Sequence, residues 1–114
     1  MPARPKPYLR PVETLLLTML AAGDRHGYGL RQDILEHTEG RIALEVGSLY
    51  RYIGRLERDG LLAQAKVTRP DDDERRIYYR LTPAGKKALE AELRRLRSLV
   101  RLAESRRIIA PERP

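Results

Sequence analysis

With 114 residues the chain has room for one domain and a tail, but not for a cleft between two lobes. Its 23 lysines and arginines against 16 acids leave a net charge of +7, which favours a polyanionic partner, through counterion release from phosphates, or an acidic membrane surface. Cysteine is absent, which excludes disulfides, thiolate metal sites and cysteine catalysis. The longest apolar run, Leu15 to Ala22 broken by Thr18, is too short for a bilayer and lacks the organisation of a signal peptide, so a soluble cytoplasmic protein is expected.

Met1 to Arg10 combines three prolines with three cations and little that can pack. Residues 1–10 are therefore expected to be a flexible basic arm, either a solvated tail or an arm that touches phosphates or a partner subunit. Pro11 suits the first turn of a helix, and Val12, Leu15, Leu16, Leu17, Met19 and Leu20 then surround much of its circumference. Apolar residues all round predict burial on two sides, one against the core and one, through Leu16 and Leu20, against a second subunit. Gly23 and Asp24 end this helix.

His26-Gly27-Tyr28-Gly29 opens a second helix, with Leu30, Ile34 and Leu35 on its core side and Gly40 closing it. Arg31 projects away from that side as a candidate phosphate contact. Tyr28 either covers the core edge or points its hydroxyl at a phosphate. His26 and His37 make no known ligand spacing and have no cysteine or suitably spaced carboxylate beside them, so no metal is expected. Arg41-Ile42-Ala43-Leu44 alternates briefly, which predicts a minimal strand.

The chain is organised around the next stretch, EVGSLYRYIGRLERDGL, from Glu45 to Leu61. Val46, Leu49, Ile53 and Leu56 recur at spacings of three and four and form an apolar stripe that must be buried. Ser48, Arg51, Tyr52, Arg55 and Asp59 fall within about 60° of the direction of Ser48 on the opposite side, at about 100° per residue. Gly60 can take the left-handed conformation that ends the helix. One face anchors and the other presents arginines, as a helix laid in a DNA major groove must.

Beyond it, Ala63, Ala65 and Val67 alternate with Gln64, Lys66 and Thr68, and Ile77, Tyr79 and Leu81 alternate with Arg76, Tyr78 and Arg80. These are two half-buried strands, paired as a hairpin around Arg69 to Arg75. The four acids Asp71 to Glu74 lack the alternate oxygens and glycine of a calcium loop, so a solvated turn is expected, flanked by Arg69, Arg75 and Arg76. Three helices followed by a hairpin make a winged helix-turn-helix over residues 11–82, a mainly α fold with a small β-hairpin (α+β). On this reading Arg51 and Arg55 read base edges, guanine being the favoured partner of a bidentate arginine. Ser48, Arg31, Lys66, Arg69, Arg75 and Arg76 mainly hold phosphates.

Thr82-Pro83 is a capping hydroxyl followed by proline at the first helical position. A long helix over 83–110 is expected, with residues 111–114 as a tail. Leu89, Leu93, Leu96, Val100 and Ala103 form an a/d seam lasting about three heptads. A domain this small cannot cover such a helix, so a homodimer is expected, with Leu99 and Leu102 widening the stripe. An effector pocket between the first and last helices of that dimer would be lined by Leu17, Met19, Leu93 and Leu96, though no convergent polar groups define a ligand. No cofactor is implied. Nor is an enzyme, since no nucleophile with an adjacent base, metal set or phosphate-cradling glycine loop can be found. The alternative is a winged-helix module whose basic face docks an acidic protein or RNA, without preference among duplex DNA sequences.

The order of Leu15-Leu16-Leu17 through Leu20, His26-Gly27-Tyr28-Gly29-Leu30, Gly47-Ser48-Leu49-Tyr50-Arg51, Leu56-Glu57-Arg58-Asp59-Gly60-Leu61, Arg76 to Leu81 and Thr82-Pro83-Ala84-Gly85 resembles the PadR family of bacterial transcriptional regulators. The resemblance spans about residues 12 to 90 and rests on the combination of motifs. The single C-terminal helix is similar to the short PadR subfamily. What the resemblance implies is a homodimeric repressor on an inverted-repeat operator of double-stranded DNA, with the Glu45–Leu61 stretch as recognition helix and the hairpin as wing. Tyr28, Ser48, Tyr50 and Arg51 match motif positions at or near DNA. Tyr50, about 200° from Ser48 on the helix, is open to a core-edge or a phosphate role. The chain departs from the family's better-understood ligand-binding members in having no tryptophan in its final helix.

Overall fold

Pro11 sits at the first position of α1 (Pro11–Ala21), where its missing N–H costs no hydrogen bond, and the Glu13 carboxylate accepts the Arg10 backbone N–H at 2.8 Å. A computed structural model of the chain describes residues 9–66 and 77–112. After α1 come β1 (Arg25–His26), α2 (Gly27–His37), α3 (Val46–Arg58), β2 (Leu62–Ala65), β3 (Tyr78–Leu81) and α4 (Pro83–Ser105). The strands form an antiparallel sheet in the order β1-β3-β2. Four helices with this small sheet are an α+β winged helix.

Helix α1 is central to the subunit, packing against α2, α3, β3 and α4. That answers why it is apolar nearly all round, and it moves Leu16 and Leu20 from the expected subunit contact into the core. Leu16 and Leu17 are 0 % exposed and Leu20 is buried with them, all three in the subunit's own core beside Leu30, Ile34, Leu49, Ile53 and Leu56.

The sheet differs from the expected hairpin in three ways. Arg41 to Leu44 is not a strand. The outer edge of β3 is taken by β1, with Arg25 opposite Tyr79 and His26 opposite Tyr78, so residues 41–45 serve as a link into α3. In β2 only Ala63 departs from the expected alternation, being exposed, while Gln64 is exposed and Ala65 half-buried as expected. Leu62 faces inward opposite Leu81, while Ala63 stands outward opposite Arg80. The larger leucine takes the core position because burying it removes more apolar surface from water. Tyr78 and Tyr79 are both buried and Ile77 is exposed, because β1 and the His26 ring, edge-on to Tyr78 at 5.3 Å, cover what would otherwise be an open face.

Two junctions explain the paired motifs. Gly60 adopts φ +75° after α3, and Thr82 reaches back to it, its hydroxyl donating to the Gly60 carbonyl at 2.6 Å and accepting from the Gly85 N–H at 2.9 Å. Gly85 lies so close to Leu61 that an added Cβ would stand 2.8 Å from the Leu61 carbonyl carbon. Likewise Gly27 leaves room for Tyr50, whose hydroxyl would be 2.6 Å from a Cβ there.

Helix α4 ends at Ser105, about one turn short of the expectation, and Arg107 turns the chain at φ 61°. Its buried residues, Gly85, Leu89 and Glu92, all lie in its first half.

Candidate nucleic-acid interface

Helix α3 has about 20 Å of length at about 1.5 Å per residue and buries Leu49, Ile53 and Leu56. Val46, expected in that stripe, is 57 % exposed, because the first turn of α3 extends past the core. On the other side Ser48, Arg51, Tyr52 and Arg55 stand together. The Arg51 Nη2 donates to the Ser48 hydroxyl at 3.0 Å, and the Arg55 guanidinium carbon lies 5.9 Å from the Tyr52 ring centroid. With Arg10 these residues line a cleft of about 250 Å³.

The start of α2 meets α3 on another side, at Tyr50. The His26 Nδ1 accepts the Gly29 N–H at 3.0 Å, so the imidazole caps the helix. Tyr28 projects into solvent, and its hydroxyl accepts from the Gln32 Nε2 at 3.1 Å, leaving the O–H free to donate outward. Tyr50 takes the core edge, one of its two expected roles, while remaining partly exposed. Its hydroxyl approaches Gly27 at the core edge, yet the residue is 48 % exposed. Burial pushes the neighbouring Tyr79 phenol above its ordinary pKa, with Tyr50 and Glu57 adding to the shift.

Arg31 takes a different place from the one expected. Its Nε donates to the Leu44 carbonyl at 2.6 Å, tying α2 to the link that leads into α3. Lys66 is exposed just past β2. Arg69, Arg75 and Arg76, with the acids Asp71 to Glu74, lie outside the described residues, as do residues 1–8.

The larger cavity, about 630 Å³, opens between α1, the end of α3 and α4, and is lined by Leu9, Arg10, Glu13, Arg55, Asp59, Leu61, Ala88, Ala91, Glu92 and Arg95. None of the expected pocket residues Leu17, Met19, Leu93 and Leu96 lines it. Leu17 is sealed in the core, and Leu93 faces out from α4. Glu92, 5 % exposed, receives two hydrogen bonds from Arg95, at 2.9 and 2.6 Å. Those bonds hold its carboxyl below the usual range against the opposing effect of burial.

Sequence reasoning missed Arg10 as a partner of α3, the buried acids Glu13 and Glu92, and the Arg80–Asp24 ion pair at 2.7 Å that ties β3 to the turn after α1. The Glu92–Arg95 pair had a local signal in its spacing of three along a helix, and so did Glu13, three residues after the Arg10 N-cap whose N–H it accepts. Among the described residues no cluster of three or more His, Cys, Asp or Glu could hold a metal, and no helix is long and apolar enough to cross a membrane.

A winged helix whose third helix turns arginines and hydroxyls outward is the architecture of a transcription regulator. The chain belongs to the transcriptional regulator PadR-like family, whose model matches residues 16–91. It is similar to the transcriptional regulator Rv3488 of Mycobacterium tuberculosis, 37 % identical over 86 residues that cover 75 % of this chain and 76 % of the relative. It is also similar to a transcriptional regulator from Clostridium thermocellum, with TM-score 0.70 at 26 % identity, covering 82 % of this chain and 87 % of that one. A PadR family regulator from Clostridium difficile R20291 shares the fold, with TM-score 0.69 at 23 % identity, over 82 % and 95 % of the two chains.

Proposed function

We propose that the protein is a dimeric, sequence-specific DNA-binding repressor that lays α3 in the major groove of an inverted-repeat operator and is released by a small effector. The outward face of α3 carries the reading, since it sets Arg51, Arg55, Ser48 and Tyr52 together on the side opposite the buried Leu49, Ile53 and Leu56. Tyr28 and Tyr50 would add contacts from the start of α2 and from the core edge, and Lys66, Arg69, Arg75 and Arg76 would hold phosphates. A regulator of this kind works in the cytoplasm and performs no catalysis.

The dimer is supported by α4. From Leu93 onward no residue of this helix is buried, and Leu93, Leu99, Val100 and Leu102 are each at least 41 % exposed. Leu96 and Ala103 lie half-buried on the same helix. An apolar stripe of that length on one helix is the kind of surface a second copy covers. The cavity between α1, α3 and α4 offers room for an effector in contact with α3 through Arg55 and Asp59.

Selection of bound sequences from random duplex DNA at about 0.15 M salt, with the mass of the protein in solution measured alongside, tests the reading. An enriched inverted repeat bound by two copies supports it. Binding without sequence preference would instead favour a module that docks another polyanion. Arg51→Ala is expected to lose about 1–3 kcal/mol on the selected operator and to relax preference at one base pair. Unchanged affinity would remove Arg51 from the base edge.

A further inference from the structure

Among the described residues the cleft on the outward face of α3 is lined by Arg10, Ser48, Arg51, Tyr52 and Arg55, three guanidinium groups with no carboxylate among them. Its neighbour, the 630 Å³ cavity, shares Arg10 and Arg55 but sets Glu13, Asp59 and Glu92 against its three arginines. Nearly the same cations thus border one neutral space and one strongly positive one. Ser48, Arg51, Tyr52 and Arg55 are spaced i, i+3, i+4 and i+7, a single stripe along α3. The fifth residue comes from elsewhere in the chain. Arg10 precedes α1, and its backbone N–H is held by Glu13 at 2.8 Å, so its side chain starts from an anchored point.

Donors converge here. The Ser48 hydroxyl already accepts from Arg51, which leaves its own proton to donate. Among the described residues neither Arg10 nor Arg55 makes an ion pair, in contrast to Arg95, which is committed to Glu92. Like charges gathered without a counter-charge are destabilising unless an anion joins them, and about 250 Å³ accommodates a tetrahedral oxyanion with several waters of about 30 Å³ each.

We infer that this cleft is a phosphate site, filled by a backbone phosphate of the duplex on which α3 lies, with Arg10 and Arg55 as its two walls. The inference rests on the DNA reading and deepens it. It moves Arg55 from the base edge to the backbone, and leaves Arg51 between the phosphate and the bases. Because Arg10 stands at the N-cap of α1 and Arg55 lies in α3, one phosphate would bridge the two elements and fix the angle at which the domain sits on DNA. Such contacts set register and orientation without reading sequence.

The test is the salt dependence of affinity, for the selected operator and for an unrelated duplex, in the wild type, Arg10→Ala, Arg10→Lys and Arg97→Ala. Arg10→Ala keeps the backbone bond to Glu13, so the fold is retained. It is expected to lower the slope of log affinity against log salt by about 0.9, which over a tenfold rise in salt is about eightfold less loss. It should weaken both duplexes by the same factor and leave base preference unchanged. Arg10→Lys should keep the wild-type slope, and Arg97→Ala, on the exposed surface of α4, should leave it unaltered. A wild-type slope in Arg10→Ala overturns the inference. Should the wild type bind no duplex at all, the DNA reading falls by itself, and titration with inorganic phosphate decides the cleft. Joint NMR shifts of the Nε–H groups of Arg10, Arg51 and Arg55 would uphold a site for free phosphate, and their absence would overturn it.

Discussion

Replacing Gly85 by alanine sets two effects of opposite sign against each other. In a helix, alanine is favoured over glycine by up to about 1 kcal/mol. Here, however, the new Cβ would lie 2.8 Å from the Leu61 carbonyl carbon and 2.8 Å from the Leu81 Cδ1, and nearer still to the Leu61 oxygen. Carbon atoms in contact prefer about 3.5–4.0 Å. Leu81 can rotate away. The Leu61 carbonyl cannot, because it accepts the Thr82 N–H at 3.3 Å while the Leu61 N–H is bound to Leu56 at 2.9 Å. Helix α4 must retreat by on the order of 1 Å, at an overpacking cost of about 1–3 kcal/mol, and the Thr82 cap worth about 1 kcal/mol is loosened with it. The net expectation is a loss of about 1–3 kcal/mol. Gly54 in α3 supplies the control, since nothing lies within 4 Å of its added Cβ. Gly54→Ala should therefore gain close to 1 kcal/mol. Urea unfolding followed by circular dichroism, at equal protomer concentration, reads both as shifts of midpoint. If Gly85→Ala unfolds at or above the wild-type midpoint, the contact with Leu61 does not govern this position and the reasoning is refuted.

His26→Ala should cost about 1 kcal/mol through loss of the Nδ1 cap on Gly29, and His26→Asn should restore much of it because asparagine also caps; equal losses in the two variants would show that the imidazole acts by packing alone. Glu92 is held below its ordinary pKa in the fold by Arg95, so its contribution to stability is complete above the ordinary carboxylate range and disappears as pH falls through the folded value. The stability gap between the wild type and Glu92→Gln should accordingly shrink on acidification from neutral pH to about 3, and a gap that stays constant would mean that the ion pair adds nothing.

What could be read in the sequence was what depends on near neighbours in the chain. Pro11, Gly60 and the Thr82-Pro83 pair are local signals, and α1, the end of α3 and the start of α4 lie where they indicate. The spacing of Leu49, Ile53 and Leu56 sets the buried side of α3, and with it the direction in which Arg51 points. Failures came where a distant segment decides. A two-residue strand such as Arg25–His26 has no periodicity to detect, and it is a strand only because β3 offers an edge. The exposure of Ala63 was decided across the strands, where it stands opposite the exposed Arg80. Arg31 pointed outward as expected by helical geometry, but the Leu44 carbonyl reached it first.

The motifs gain a physical meaning once the distant contacts are in place. His26-Gly27-Tyr28-Gly29 and Gly47-Ser48-Leu49-Tyr50 are two halves of one contact, since Gly27 must lack a Cβ for the Tyr50 hydroxyl to approach. Gly60-Leu61 and Thr82-Pro83-Ala84-Gly85 are likewise joined through the Thr82 hydroxyl and the bare Cα of Gly85. The first contact holds one end of α3 against α2, and the second holds its other end against α4. Tyr50 and Gly60 thus clamp α3 at two points about ten residues apart, some 15 Å along its axis, with Ser48, Arg51, Tyr52 and Arg55 facing outward along it. A helix that must present arginines at a set angle needs such end clamps, because its outward face has no packing to orient it. The same logic makes α4 more than a cover for α1. Its first half fixes the far clamp through Gly85 and Leu89, and its second half carries the exposed leucines, so one helix joins the seat of α3 to that apolar surface.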